Sequence, residues 1–309
     1  MRLPPFELIQ PETVAEAVIA LANGDGEARV IGGGTALVPM LRLGLLRPER
    51  VISLHRIARL GAISADDTGL HLGATVSIAA LHRSPVARSR WPLVAEAAGR
   101  VATPAIRSTA TVGGNLGYAE PASDLAPALL CLEADVELAG QDGRRSVPVT
   151  RFFTGFYETA LGPGEIVTGV RLPAPPPGAR SGYVKFCPRS AEDKPLIGVA
   201  ALVDVDPANG RCRVARIGLG AAAPMAFRAT RAESVLRGEV LDDRVIRAAA
   251  DAAAAEADPV SDLMGSAEYR RQMVRVWVRR LLTRLRDEPL RCAESARDER
   301  LDEGLQTRP

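Results

Sequence analysis

Two glycine clusters constrain this chain more than any other feature of its sequence. Gly32, Gly33 and Gly34 are contiguous, and they separate a strand-like segment, Ala28-Arg29-Val30-Ile31, from a helix-like segment that opens near Ala36. Farther on, Thr111-Val112-Gly113-Gly114-Asn115 places a second glycine pair between a hydroxyl and a carboxamide, in a polar stretch running to Pro121-Ala122-Ser123-Asp124. Consecutive glycines between a strand and a helix can turn several N–H groups into one concavity, and the following helix N-terminus adds partial positive charge. No Cβ then blocks the approach of a phosphate. Thr35 could add a hydroxyl. The plainer reading of each cluster is a tight turn. Two such loops together suit a ligand with two phosphates better than one phosphate. Neither loop is a Walker loop, since no Gly-Lys-Ser/Thr follows, and the contiguous glycines do not match the Rossmann spacing.

Around the loops the pattern is mixed. A short helix is expected over residues 11–24 and another over 36–43. Period-2 segments at 51–54, 61–64, 69–73, 136–138, 145–149 and 166–172 read as strands, with hairpins at Asp66-Asp67 and Asp142-Gly143. Helices are expected over 77–82, 93–100 and 125–132. Ala174-Pro175-Pro176-Pro177-Gly178 reads as a semi-rigid linker and an expected domain boundary. Beyond it come strands at 183–187, 197–205 and 212–220, and helices at 230–237, 243–257 and 267–285. The last helix carries Met273, Trp277, Leu281 and Leu285 at steps of four, with Val274, Val278 and Leu282 beside them. That is one wide apolar face, with Arg270, Arg271, Arg275 and Arg279 read as lying off it. The charged residues 287–309 read as a disordered tail.

Bulk properties exclude several classes. With 39 basic and 37 acidic residues, the net charge of +2 offers no field for nucleic acid. The four cysteines, Cys131, Cys187, Cys212 and Cys292, and the three histidines, His55, His71 and His82, are scattered, so no metal site is expected. Met1-Arg2-Leu3-Pro4-Pro5 lacks the apolar core of a signal peptide. No apolar run approaches the roughly 20 residues of a membrane span, so a cytoplasmic protein is expected. No Ser-His-Asp context, zinc-protease motif or nucleophile elbow is present. No catalytic residue is therefore assigned; the pattern suits a chain whose chemistry resides in a bound cofactor. Asp124 fits the N-cap of the 125–132 helix, with Pro127 just inside it, as well as it fits a ligand contact. Lys185 and Arg189 are either solvated or aimed at an electron-rich ring.

In combination, several segments resemble one family. They are Val30-Ile31-Gly32-Gly33-Gly34-Thr35-Ala36-Leu37, Thr111-Val112-Gly113-Gly114-Asn115, Pro121-Ala122-Ser123-Asp124, Phe152-Phe153-x-Gly155, Gly164-Glu165-Ile166-Val167 and Lys185-x-x-x-Arg189. Their order is similar to that in the FAD-binding medium subunits of the molybdenum hydroxylases, of the aerobic carbon monoxide dehydrogenase and xanthine dehydrogenase type. The resemblance covers about residues 1–285, and Gly265-Ser266-Ala267-Glu268-Tyr269-Arg270-Arg271 extends it into the last helix.

The resemblance implies an α+β fold. A PCMH-type, vanillyl-alcohol-oxidase-like FAD-binding domain (1–175) would form two subdomains, about 1–57 and 58–175. A small C-terminal domain (180–286) of three-stranded antiparallel sheet and helices would follow. Val30, Ile31, Gly32, Gly33, Gly34, Thr35, Ala36 and Leu37 would hold FAD together with Thr111, Val112, Gly113, Gly114 and Asn115. Val101, Asp124, Val167 and Lys185 match further flavin-contact positions. The implied role is electron relay. A molybdopterin-binding large subunit hydroxylates substrate, a small subunit with two 2Fe–2S clusters passes electrons to the FAD here, and an outside acceptor takes them. A dimer of such heterotrimers is expected. Ala36 stands where relatives carry Asp or Ser, which removes a polar contact. Lys194 stands where an aromatic is common, and either raises the flavin potential or faces solvent. The rival expectations are a self-contained flavin oxidase and an assembly subunit that has lost FAD.

Overall fold

A computed structural model describes residues 3–24 and 26–288. The expected tail therefore lies outside the described residues, apart from its first two positions. Three strands, β1 (Glu7–Ile9), β2 (Ala28–Ile31) and β3 (Arg50–Ser53), form a parallel sheet in the order β1-β3-β2. Between β1 and β2 lies α1 (Val14–Ala22). It opens with a capping box in which Thr13 accepts from the Glu16 N–H and Glu16 reaches back to the Thr13 N–H. Val14, Ala17 and Val18 of α1 pack with Ala28, Ile52 and Leu54 into a small core. The first glycine loop and α2 (Leu37–Arg42) connect β2 toward β3.

A second sheet is antiparallel throughout: β4 (Ile63–Ala65), β5 (Gly69–Gly73), β6 (Asp135–Gly140) and β7 (Gly143–Pro148) join a long strand reached through the hairpin β8 (Phe153–Gly155) and β9 (Glu158–Thr159). That strand, β10 (Ile166–Pro173), lies between β5 and β6. Both expected hairpins, β4–β5 and β6–β7, are present. Leu70 and Leu72 point inward while His71 between them pairs with Glu137 on the other face, which is the alternation of a half-buried strand.

One face is covered by short helices whose boundaries the sequence sets. These are α3 (Ile78–Arg83), α4 (Pro85–Arg90), α5 (Pro92–Arg100), α6 (Pro104–Thr109), α7 (Val112–Tyr118), α8 (Leu125–Cys131) and the single turn α9 (Val149–Phe152). Ser77, Ser84, Thr103 and Thr111 cap four of them with side-chain oxygens. Proline in the first turn of α4, α5 and α6 forbids continuation from the preceding helix, because it has no N–H to give.

The remainder is a sheet of β11 (Arg180–Phe186), β12 (Ile197–Val205), β13 (Cys212–Gly220) and a two-residue β14 (Phe227–Arg228), with α10 (Thr230–Leu236), α11 (Asp243–Glu256) and α12 (Ala267–Asp287). β14 adds a short fourth strand to the three long ones expected. Strand β12 is apolar almost throughout because both of its faces are buried. Ala200 and Leu202 join the core of the preceding helices, while Ile197, Val199, Ala201 and Val203 join α10–α12. Arg270 departs from expectation: it is buried, and its guanidinium donates to the Leu196 carbonyl and to Asp262, drawing a loop onto α12.

The two halves meet along a glycine lane. Gly198 and Gly220 are cross-strand partners, and Gly218 faces Ala200. A Cβ on Gly218 would collide with the Pro127 carbonyl, and one on Gly220 would lie 2.9 Å from the Pro127 ring. Helix α8 thus seats directly on the strands. Gly218→Ala should destabilise the protein by about 1–3 kcal/mol, since backbone must shift to admit one methyl; a urea melt at unchanged slope checks it.

Candidate cofactor-binding site

Strand β2 ends in the loop Gly32–Gly34, in which Gly34 is left-handed (φ 71°). The loop lies against the segment joining α6 to α7. A Cβ on Gly33 would overlap the Thr109 carbonyl, and one on Gly32 would sit 2.6 Å from the Thr111 hydroxyl. Glycine is therefore required here by close approach. Among the described residues, the N–H groups of Gly33, Gly34, Thr35 and Ala36 donate to no protein acceptor. Half-buried, adjacent and unpaired, they form the donor array that a phosphate needs. Ala36 occupies the N-cap position of α2 without a side-chain cap.

The second cluster is not an open loop. It is the first turn of α7, with Thr111 as N-cap: its hydroxyl accepts from the Gly114 N–H at 3.1 Å and its carbonyl from the Asn115 N–H at 2.9 Å. The Val112 and Gly113 N–H groups go to the Val76 and Ala74 carbonyls. All four donors are thus used internally, which corrects the expectation of a second nest. The helix contributes bare surface instead. Gly114 and Gly117 are exposed one turn apart, and nothing lies within 4 Å of a Cβ on Gly117. Asn115 holds its amide by accepting from the Ser123 hydroxyl at 2.7 Å.

These two elements line one cleft of about 680 Å³, within the size of small-molecule sites. It gathers Val30, Ile31, Gly32, Gly33, Gly34, Thr35, Ala36, Leu37, Thr111, Gly113, Gly114, Asn115 and Val167 of the expected residues. Val112 is off the cleft: it is fully buried in the core. Met40, Leu46, Gly117, Tyr118, Leu161 and Glu165 also line the cleft and were not anticipated. Gly117 was readable in principle, three residues after Gly114 on one helical face.

Val101, Asp124 and Lys185 lie outside that cleft and form a second cluster. Asp124 is buried but caps nothing; Ser123 instead accepts from the Ala126 N–H at 3.4 Å. Asp124 accepts from the Tyr183 hydroxyl at 2.7 Å and from Lys185 Nζ at 3.2 Å, so the N-cap reading gives way to a buried ion pair. Lys185 also donates to the Arg100 carbonyl at 2.8 Å. Burial pushes the Asp124 carboxyl up to about 6, against the opposing pull of Lys185 and Tyr183. Arg107 donates to the Val101 and Ala102 carbonyls, both at 2.7 Å, and Ala102 is held at φ 37°. The strained turn beside Val101 is therefore clamped by two cations. Arg189 is exposed and paired with Asp193. Lys194 is largely exposed, as one of its two expected readings had it, and pairs there with Glu120, which also accepts from the Tyr157 hydroxyl.

Known proteins share this fold. The family described as FAD binding domain in molybdopterin dehydrogenase matches residues 4–175, and the CO dehydrogenase flavoprotein C-terminal domain matches residues 182–285. The carbon monoxide dehydrogenase medium chain of Hydrogenophaga pseudoflava is 34% identical over 90% of this chain and 96% of its own. The 6-hydroxypseudooxynicotine dehydrogenase complex subunit alpha of Paenarthrobacter nicotinovorans is 33% identical over 92% of this chain and 95% of its own. A chain of the reconstituted CO dehydrogenase from Oligotropha carboxidovorans superposes with a TM-score of 0.90 at 33% identity, covering 94% of this chain and 100% of that one. Fold and site thus define an FAD-binding flavoprotein subunit of the oxidoreductases. The chain belongs to the family of FAD-binding medium subunits of molybdenum-dependent dehydrogenases and hydroxylases.

The free N–H array and the glycine cradle of this structure fit that cofactor. Gly117→Leu should leave the apoprotein equally stable or up to about 1 kcal/mol more stable, because leucine is the better helix former. The same change should abolish FAD retention, read from flavin absorbance after gel filtration. The folded Asp124 carboxyl titrates above its unfolded value of 3.8. Its favourable contribution is thus complete below about 4 and is lost as pH rises through about 6. Asp124→Asn should therefore stabilise the apoprotein at pH 7.5 relative to pH 4.5, by an amount on the order of 2–3 kcal/mol; paired urea melts measure the difference.

Proposed function

We propose that this chain is the electron-relay subunit of a heteromeric molybdenum hydroxylase. It takes electrons from 2Fe–2S clusters on a small partner subunit and delivers them to an external acceptor, while a molybdopterin-binding large subunit transforms the substrate. The observation that carries this reading is the pairing of a cofactor cradle with a cleft whose lining, among the described residues, holds no His, Cys, Asp or Lys. In the cleft the polar groups left for a ligand include backbone N–H groups, the Thr35 and Tyr118 hydroxyls and the Asn115 amide, while Arg29 is taken by the Gly26 and Ala28 carbonyls and Glu165 by Arg145. Among the described residues no group of His, Cys, Asp or Glu could hold a metal ion.

When bound, FAD supplies the step between two-electron and one-electron chemistry. The chain's own residues bind and orient it. The N–H groups of Gly33–Ala36 would receive the pyrophosphate, the bare face of Gly114 and Gly117 would admit its neighbouring part, and Asn115 would offer an amide. Val101, Asp124, Val167 and Lys185 would meet the flavin end. The relatives of similar length are parts of larger complexes by name, which supports large and small partners here; the dimer of heterotrimers is part of the same proposal. Residues 1–175 (about 1–57 and 58–175) are taken as the FAD-binding unit and 180–286 as the C-terminal unit. A cytoplasmic setting agrees with the free thiols of Cys131, Cys187 and Cys212 and with the absence, among the described residues, of a helix long and apolar enough to cross a membrane.

Expression of this chain with its partner subunits tests the reading. The complex should carry flavin, iron–sulfur and molybdenum signals, and removal of FAD should leave substrate able to reduce the iron–sulfur clusters while blocking transfer to a soluble acceptor. Substrate turnover by the isolated, FAD-loaded chain without molybdenum or iron would overturn it.

A further inference from the structure

We propose that Tyr183 is a positioning residue of the flavin site: its hydroxyl holds the Asp124 carboxylate in the ion pair with Lys185, and so fixes the charge balance beside the cofactor. The inference rests on the reading that Asp124 and Lys185 meet the flavin. Tyr183 itself stands outside every motif that carries that reading.

The hydroxyl is aimed by three independent features. Tyr183 is on β11 with 1% exposure, and its ring packs in the core shared with the helices. Its own N–H donates to Glu96 on α5 at 2.9 Å, which fixes the strand against the helix whose last carbonyl, that of Arg100, receives Lys185. Gly198 supplies the space, since a Cβ there would lie 2.6 Å from the hydroxyl oxygen. Gly198 is the cross-strand partner of Lys185, so one register places the lysine and clears room for the tyrosine. Burial and the nearby carboxylate keep the Tyr183 hydroxyl protonated far above neutral pH, so it acts only as a donor toward Asp124.

The charged and titratable groups around the carboxylate are Lys185 and Cys187 on the β11 side and Arg100 on α5, with Glu96 next to Tyr183 and 4.0 Å from Arg284 on α12. Asp124 has two side-chain donors, Tyr183 and Lys185. Loss of the first leaves one buried oxygen without a partner, and the carboxyl then holds its proton to higher pH. Lys185 becomes uncompensated, and a net positive charge beside a flavin favours its anionic reduced form.

Tyr183→Phe tests this in the FAD-loaded chain by spectroelectrochemical titration across pH 6–9. The reduced-to-oxidised ratio at a fixed potential near pH 7 should rise about tenfold, equivalent to about 30 mV for a two-electron couple. The difference should fade toward the alkaline end as Asp124 ionises again. In an Asp124→Asn background the same change should have no effect, which a merely structural role would not produce. Gly198→Ala, whose methyl displaces the hydroxyl, should shift the ratio in the same direction and serves where Tyr183→Phe does not fold. An unchanged potential and pH profile in FAD-loaded Tyr183→Phe overturns the proposal. A wild-type chain that takes up no FAD overturns the flavin reading instead. Carboxyl ¹³C NMR of the apoprotein then still decides the role of Tyr183, because its removal must move the Asp124 titration to higher pH.

Discussion

Backbone against backbone, where Gly33 meets the Thr109 carbonyl, is the contact on which the cofactor site depends. It sets the first glycine loop at a fixed distance from the start of α7. No side chain could bridge the gap more closely. The loop turns at the left-handed Gly34 and leaves four successive N–H groups unpaired. Unpaired donors are costly when shielded from water, so a protein keeps such an array for a ligand that satisfies it. The opposite wall is the reverse case. The first turn of α7 spends its donors on Thr111, Val76 and Ala74, and its contribution is the missing side chains of Gly114 and Gly117.

The same device joins the two halves of the chain. Gly218 and Gly220 let α8 lie on β13, and Gly198 lets Tyr183 reach Asp124. Close seating brings β11 to the end of α5, where Tyr183, Lys185, Glu96 and the Arg100 carbonyl interlock. The buried Asp124–Lys185 pair is weak evidence for stability, since desolvation offsets most of its Coulomb energy. Its value is positional. It fixes a cation and an anion, contributed by different halves, at one point of the fold.

Much of this architecture was legible in the sequence. Ser77, Ser84, Thr103 and Thr111 stand one residue ahead of their helices, and Pro85, Pro92 and Pro104 mark the breaks between them, although α4 and α6 were not among the helices expected. The alternation around His71 and the continuous apolar run of β12 announced one-sided and two-sided burial. The misreadings share a cause. Gly113-Gly114-Asn115 looked like a loop because glycine is a poor helix residue, but the Thr111 cap and packing of Gly113 on Ala74 outweigh that cost. Arg270 looked solvated because its spacing put it off the apolar face; the Leu196 carbonyl and Asp262 accept from its two terminal nitrogens inside.

By itself, then, the sequence determined most of the strands and longer helices, the first glycine loop as a phosphate-binding candidate and, through resemblance, the cofactor class. These are local or ordered along the chain, and local chemistry encodes them. Tertiary structure alone decided that Asp124 caps no helix and pairs with Lys185, that Tyr183 holds it there, and that the second glycine cluster offers surface in place of donors. Each of those outcomes depends on which distant backbone comes within contact distance, and no spacing in the chain records that.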